Sequence, residues 1–190
     1  MPYEHQLSTG ERRELLRIAR STLREHVRSG RIPPGKPHRE SMLAPGAVVA
    51  TLRAGGQLRG RMSTPDEHTP LYRAIQNSVT GAASRDPRFE PVSEGELDDI
   101  SVEIAVLGPR SPARGPDDIE IGAHGLVVGL GGRRGELLPH VAVERELDAE
   151  GFLAHTCAQA GARADAWRKP DAVIEVFTAQ IFGDSDLLTT

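Results

Sequence analysis

Cysteine is nearly absent from this chain: Cys157 is the only one in 190 residues. No intrachain disulfide can form, and no cysteine-cluster zinc site can be built. Lysine is almost as scarce. Of 23 basic residues only Lys36 and Lys169 are lysine. Genome base composition produces such a bias as readily as function does, so it carries no mechanism. No apolar run approaches the roughly 20 residues that a membrane helix needs. The opening Met1-Pro2-Tyr3-Glu4-His5 lacks the basic-then-apolar pattern of a secretory signal. The expectation is a soluble, cytoplasmic protein with no membrane partner. A basic excess is missing as well. The net charge of -4 and pI near 6.0 argue against a general nucleic-acid binder, while leaving room for a local arginine patch.

Familiar catalytic patterns are also lacking. His124 and His140 have no histidine or cysteine at helical spacing, so no metal site is expected from them. Ser63 has no nucleophile-elbow pattern around it. Gly122, Gly125, Gly129, Gly131, Gly132 and Gly135 are not followed by the helix and Lys-Ser or Lys-Thr of a phosphate loop. They read as hairpin glycines, and no cofactor is expected.

What is there is organised around Gln57-Leu58-Arg59-Gly60-Arg61-Met62-Ser63-Thr64. This stretch follows the β-prone Val48–Arg53 across Ala54-Gly55-Gly56, and two such runs split by a short glycine loop predict a hairpin. Leu58, Gly60 and Met62 alternate with Arg59, Arg61 and Ser63. A glycine inside a strand marks a bulge or the close approach of a backbone or ligand. The two arginines offer a face for an anion; the plainer reading is a solvated arginine face with a bulge at Gly60.

Around it, Ser8 and Glu11 form a capping box for an amphipathic helix over 11–29, stopped by Gly30. His26 edges its apolar stripe. Residues 30–46 read as a proline-rich loop, mobile or draped over a surface. A second helix over 70–84 opens at Thr69-Pro70. Its small residues Ser78, Gly81, Ala82, Ala83 and Ser84 suit close packing on a sheet. Arg85, Asp86 and Arg88 then crowd a turn, as a local ion pair or as a second anion contact. Strands are expected within 47–63, 100–107, 119–138 and 172–182, with a loop over 108–118. Asp148 caps a helix over 149–160 that carries Cys157 as an inert core thiol. Residues 184–190 read as a frayed tail. The fold class is α+β, an antiparallel sheet covered by helices, in a single domain spanning 1–190.

The segment Leu58-Arg59-Gly60 with Thr64 resembles the Leu-Arg-Gly-Cys-Ile-Gly-Thr signature of the AMMECR family, system protein A of the AmmeMemoRadiSam group. The likeness continues through Arg85-Asp86-Pro87-Arg88-Phe89, Ile119-Glu120-Ile121-Gly122 and His124-Gly125-Leu126. Further on it includes Gly135, Leu137-Leu138-Pro139, Val141-Ala142, Phe152-Leu153, Cys157, Ala160-Gly161 and Trp167, so that it covers roughly 10–182. The resemblance implies a larger and a smaller lobe, and genomic company with Memo-like and radical-SAM proteins. Arg61-Met62-Ser63 stands where the family has Cys-Ile-Gly, so chemistry that used that thiol cannot run here.

Two functional classes stay open. The first is an accessory binding domain. It would meet a small anionic ligand or partner protein through Arg59, Gly60, Arg61 and Thr64, with Arg85, Arg88, Arg133 and Arg134 as further contacts. The second is an enzyme using the same groove, with His124 as acid or base. Memo-like proteins, radical-SAM proteins and a second copy of this chain are the partners considered.

Overall fold

The computed structural model describes residues 5–64 and 68–184. The opening Met1–Glu4 and positions 185–190 of the expected tail lie outside the described residues. Asp184, the first tail position, is anchored. Its carboxylate accepts from the Val102 N–H at 2.6 Å and from Arg20 Nε at 2.8 Å.

The elements run α1 (Thr9–Ser29), β1 (Ala47–Ala54), β2 (Gln57–Thr64), α2 (Leu71–Ser84), β3 (Ile100–Pro112), β4 (Gly125–Leu130), β5 (Arg133–Leu137), α3 (Pro139–Glu144), α4 (Ala149–Gln159) and β6 (Val173–Gly183), with short 3-10 turns between. The fold is α+β. Six strands are hydrogen-bonded in the order β2-β1-β3-β6-β4-β5, and β1 with β2, β1 with β3, β4 with β5, and β4 with β6 all pair antiparallel. Two compact units are present: Met1–Leu107 with Gln180–Thr190, and Gly108–Ala179.

In the first unit, α1 starts on the expected capping box and ends on Gly30 at φ 70°. Glu11 at that box is buried. Burial alone would raise its carboxyl, but hydrogen bonds from Ser41, Ser8 and His5 outweigh it and hold the group at about 2. Leu15, Leu16, Ala19 and Leu23 form the buried stripe, packed with Val48, Ala50 and Leu52 of β1 and with Leu71, Ala74, Ile75 and Val79 of α2. The proline-rich loop is draped rather than free: Gln76 Nε2 donates to the Pro33 carbonyl at 2.8 Å.

The β1–β2 hairpin turns on Gly55 and Gly56, both at positive φ (57° and 80°). Two such residues in succession match the twist of the strands they join, and only glycine adopts them without steric cost. The bulge sits one residue from its expected place. Leu52 faces Gly60 while Arg53 faces Leu58, so Arg59 is the extra residue. Gly60 has a different reason to be glycine: a Cβ there would stand 2.1 Å from the Ala82 carbonyl oxygen of α2. The small-residue face of α2 therefore lies backbone-close on β2. Ser78 Oγ continues that contact, donating to the Val48 carbonyl at 3.2 Å.

The second unit repeats this device with other residues. Its β4–β5 hairpin turns on Gly131 and Gly132, at φ 54° and 82°. Gly135 of β5 brings the Thr156 carbonyl of α4 so near that a Cβ would meet it at 2.1 Å. Asp148 caps α4, accepting from the Gly151 N–H at 2.7 Å. Leu126, Val128, Phe152, Leu153, Cys157, Ile174 and Val176 form its core. Cys157 is buried, and desolvation pushes its thiol pKa up.

Four sequence expectations shift. The loop expected over 108–118 is strand as far as Pro112, followed by a 3-10 turn at Pro116–Asp118. Gly108 packs on Thr178 of β6, and the Ala113 N–H donates to the Ile174 carbonyl at 2.9 Å, so pairing overrides the local breakers. Ile119–Ile121 is not a strand, because Ala123 and His124 N–H both close back onto the Glu120 carbonyl. Arg133 and Arg134 lie in β5 rather than in the turn, since the two glycines before them complete it. Pro139 opens α3 instead of only ending a strand; its fixed φ suits the first helical position.

Gly60→Ala and Gly135→Ala should each cost several kcal/mol, because the clash is with backbone and no rotamer relieves it; overpacking alone reaches ~1–3 kcal/mol. Gly95→Ala, with open space around it, should stay within about 0.5 kcal/mol. Urea unfolding of the three variants measures the difference.

Candidate functional site

The signature strand β2 is an outer strand of the sheet. An outer strand presents unpaired backbone groups, which a protein must cover. Here Asp86 does so. Its Oδ2 accepts the Arg61 N–H at 2.8 Å, while Arg88 grips the same carboxylate through Nε at 2.9 Å and a second nitrogen at 2.8 Å. The Asp86 side chain is 3% exposed. Hydrogen bonding from Arg88 is the main cause that holds its carboxyl at about 2, against burial and with help from the Arg61 N–H. Asp86 is available at this spot because Pro87 ends α2 just before it, as expected from the residues.

Arg59 projects from the bulge into a complete set of acceptors. Its Nε donates to Glu96 at 2.7 Å, and its terminal nitrogens reach the Glu90 carbonyl at 3.0 Å and the second Glu96 oxygen at 3.2 Å. Arg59 brings Glu96 down to about 2, and the Ser93 N–H and hydroxyl, closing the capping box of that turn, reinforce it. Phe89 lies under both arginines, with Arg59 Cζ at 5.9 Å and Arg88 Cζ at 5.5 Å from its ring centroid. Thr64 is knit to α2 through Ser78 Oγ at 2.5 Å. Arg85 folds back along α2 and donates to the Asn77 carbonyl at 3.3 Å. The first unit thus carries Arg59, Gly60, Arg61 and Thr64 along β2 and Arg85 and Arg88 at and after the end of α2, with Glu96 bound by Arg59 and Asp86 by Arg88.

The remaining candidates belong to the second unit. His124 Nδ1 accepts the Glu120 N–H at 3.1 Å, which fixes the neutral tautomer with its proton on Nε2. Arg133 donates to the Gly161 carbonyl at 2.7 Å and lines a dish of about 300 Å³ with Arg163, Lys169 and Asp171. Arg134 donates to Glu136 at 3.2 Å, a carboxylate that Arg110 also holds at 3.3 Å. Among the described residues no group of three or more His, Cys, Asp or Glu could hold a metal ion. No helix there is long and apolar enough to cross a membrane.

The sequence reading missed one charged surface. Arg17, Arg20, Arg24 and Arg28 recur every three or four positions along α1 and line its outer cavity, of about 620 Å³, together with Asp184. The spacing is visible in the sequence, but it shares its helix with the apolar stripe, whose periodicity is the stronger signal. Arg20 is spent on Asp184 and on the Ile100 carbonyl at 2.7 Å.

Asp86→Asn should destabilise the protein by about 2–3 kcal/mol at neutral pH, since it weakens a buried, doubly bonded carboxylate. The folded carboxyl titrates at about 2 against its usual 3.8. Its contribution is therefore complete above 3.8 and disappears as pH falls through 2. Chemical denaturation across that window should show the gap between wild type and variant closing toward pH 2.

The AMMECR1 family model matches residues 16–182. A protein of Methanothermobacter thermautotrophicus is 42% identical over 185 residues, spanning 93% of this chain and 95% of that one. One from Methanosarcina acetivorans is 39% identical over 190 residues, spanning 95% and 94%. The crystal structure of the uncharacterized protein PH0010 from Pyrococcus horikoshii superposes with a TM-score of 0.84 at 36% identity, covering 89% of each chain. With the family model matching most of its length and these relatives matching it nearly end to end, the chain belongs to the AMMECR1 family.

Proposed function

We propose that this chain is an accessory binding domain rather than a catalyst, and that the cationic end of the signature strand receives an anionic ligand or the acidic surface of a partner protein. The observation that carries the reading is the shared anchor: one buried carboxylate, Asp86, holds both the Arg61 backbone and the Arg88 guanidinium. Arg59 and Arg88 are held by Glu96 and Asp86 on rigid elements, with Arg61 on the same strand as Arg59 and Arg85 at the end of α2. Preorganised guanidinium groups are suited to carboxylate and phosphate because the fork needs little reordering on binding. In this reading Arg59 positions the cluster through Glu96 and Phe89. Arg88, its side chain 47% exposed, makes the main contact beside Arg61. Arginine at 61, in place of the family thiol, favours binding over thiol chemistry. Memo-like and radical-SAM proteins are the partners that the family resemblance proposes.

Titrating inorganic phosphate into the labelled protein should shift the amide resonances of Arg61, Thr64, Asp86 and Arg88 saturably. Arg88→Ala should weaken that response severalfold, while Arg168→Ala, whose arginine pairs with Glu150 in the second unit, leaves it unchanged. Equal responses in both variants would discard the reading. Turnover gained on Arg61→Cys, assayed with the partner proteins, would instead favour an enzyme.

A further inference from the structure

A second site lies away from the signature strand, between α1 and the strap of residues 33–38. The strap is pinned at both ends. Pro33 accepts from Gln76 Nε2 at 2.8 Å, and His38 donates its backbone N–H to Glu14 at 3.1 Å, with His38 Nδ1 2.9 Å from the same oxygen. Between the pins Gly35 crosses the Tyr72 ring so closely that a Cβ would stand 2.4 Å from it. Under the strap a groove of about 340 Å³ remains, within the roughly 300–1,000 Å³ range of small-molecule sites.

Gln76 in its floor is 1% exposed. Its amide nitrogen is spent on the Pro33 carbonyl and on Thr22 Oγ1 at 3.3 Å. A carbonyl can only accept, so the Pro33 bond fixes which end of the amide is nitrogen. The other end, Oε1, is buried and has no hydrogen-bond partner. An amide oxygen left this way is destabilising, because it has given up water without gaining a donor, and a ligand's N–H would satisfy it. The rim supplies charge. Arg17 and Lys36 line the groove and form no ion pair among the described residues, whereas Glu14, the groove's carboxylate, is already committed to His38 and Arg39. Ile18, Pro33 and Pro34 add apolar wall. Arg17 and Ser21 also line the arginine cavity on the outer face of α1.

We infer that this groove binds a small organic anion with an apolar body. The ligand places an N–H donor on Gln76 Oε1 and its anionic group on Arg17 and Lys36. Nucleoside monophosphates and N-acylated amino acids both carry that chemistry. The site is independent of the signature-strand cluster, so either can fail without the other.

Isothermal titration calorimetry with adenosine monophosphate, N-acetyl-leucine and inorganic phosphate tests it. One of the two organic anions should bind saturably, and which one binds identifies the source. Arg17→Ala, at an exposed position, should weaken that binding about tenfold or more with the unfolding midpoint unchanged. Gln76→Met should abolish it, and Arg88→Ala should leave it intact. If Gln76→Met does not fold, the Arg17→Ala result alone decides. The inference is overturned if neither organic anion binds at millimolar concentration, if phosphate binds the Arg88→Ala protein, whose signature-strand cluster is weakened, as tightly as they do, or if Arg17→Ala leaves the affinity within about twofold.

Discussion

The contact between Gly60 and the Ala82 carbonyl governs how the first unit is assembled. A helix can lie with its backbone against a strand only where neither side carries a Cβ in the way. Gly60 supplies that absence on β2, and Ser78, Gly81 and Ala82 supply a thin face on α2. Once helix and strand are that close, the chain leaving α2 must emerge beside the outer edge of β2. Asp86 then meets the Arg61 N–H, and Phe89 arrives beneath Arg59. The second unit reaches a similar arrangement through Gly135 and Thr156, after its own two-glycine hairpin. Unlike residues satisfy one packing requirement in both places, which is why no repeat is visible in the sequence.

Charge is organised by a few carboxylates rather than by many exposed pairs. Glu11, Asp86 and Glu96 are each held at about 2. Each sits where backbone donors would otherwise lack partners: the start of α1, the edge of β2, and the turn at Ser93. Exposed pairs such as Arg163 with Asp165 contribute little beside them, because water screens both partners. Arg88 and Arg59 satisfy Asp86 and Glu96 in this way.

Polar atoms that the fold leaves unsatisfied mark a different kind of place. Gln76 lies in a helix otherwise devoted to apolar packing, and nothing in its neighbourhood in the sequence distinguishes it from a surface glutamine. Its burial comes from a strap that begins 43 positions earlier.

Local chemistry made a good part of this protein legible from its residues. Ser8 with Glu11, Asp148, Gly30 and the paired glycines of the hairpins specify their caps and turns through φ angles and hydrogen bonds that reach only a few residues. The stripes of α1 and α2 and the apolar run of β6 follow from periodicity alone. Tertiary structure decided what local rules cannot reach. Pro109 and Pro112 look like loop residues until β6 lies alongside them. Ile119–Ile121 looks like a strand until the Glu120 carbonyl closes the turn. The Asp86 acceptor of the Arg61 N–H, the orphaned oxygen of Gln76 and the place of the bulge at Arg59 all depend on partners distant in the chain. Propensity and patterning act over a few residues, whereas burial and pairing are set by whichever segments the whole fold brings together.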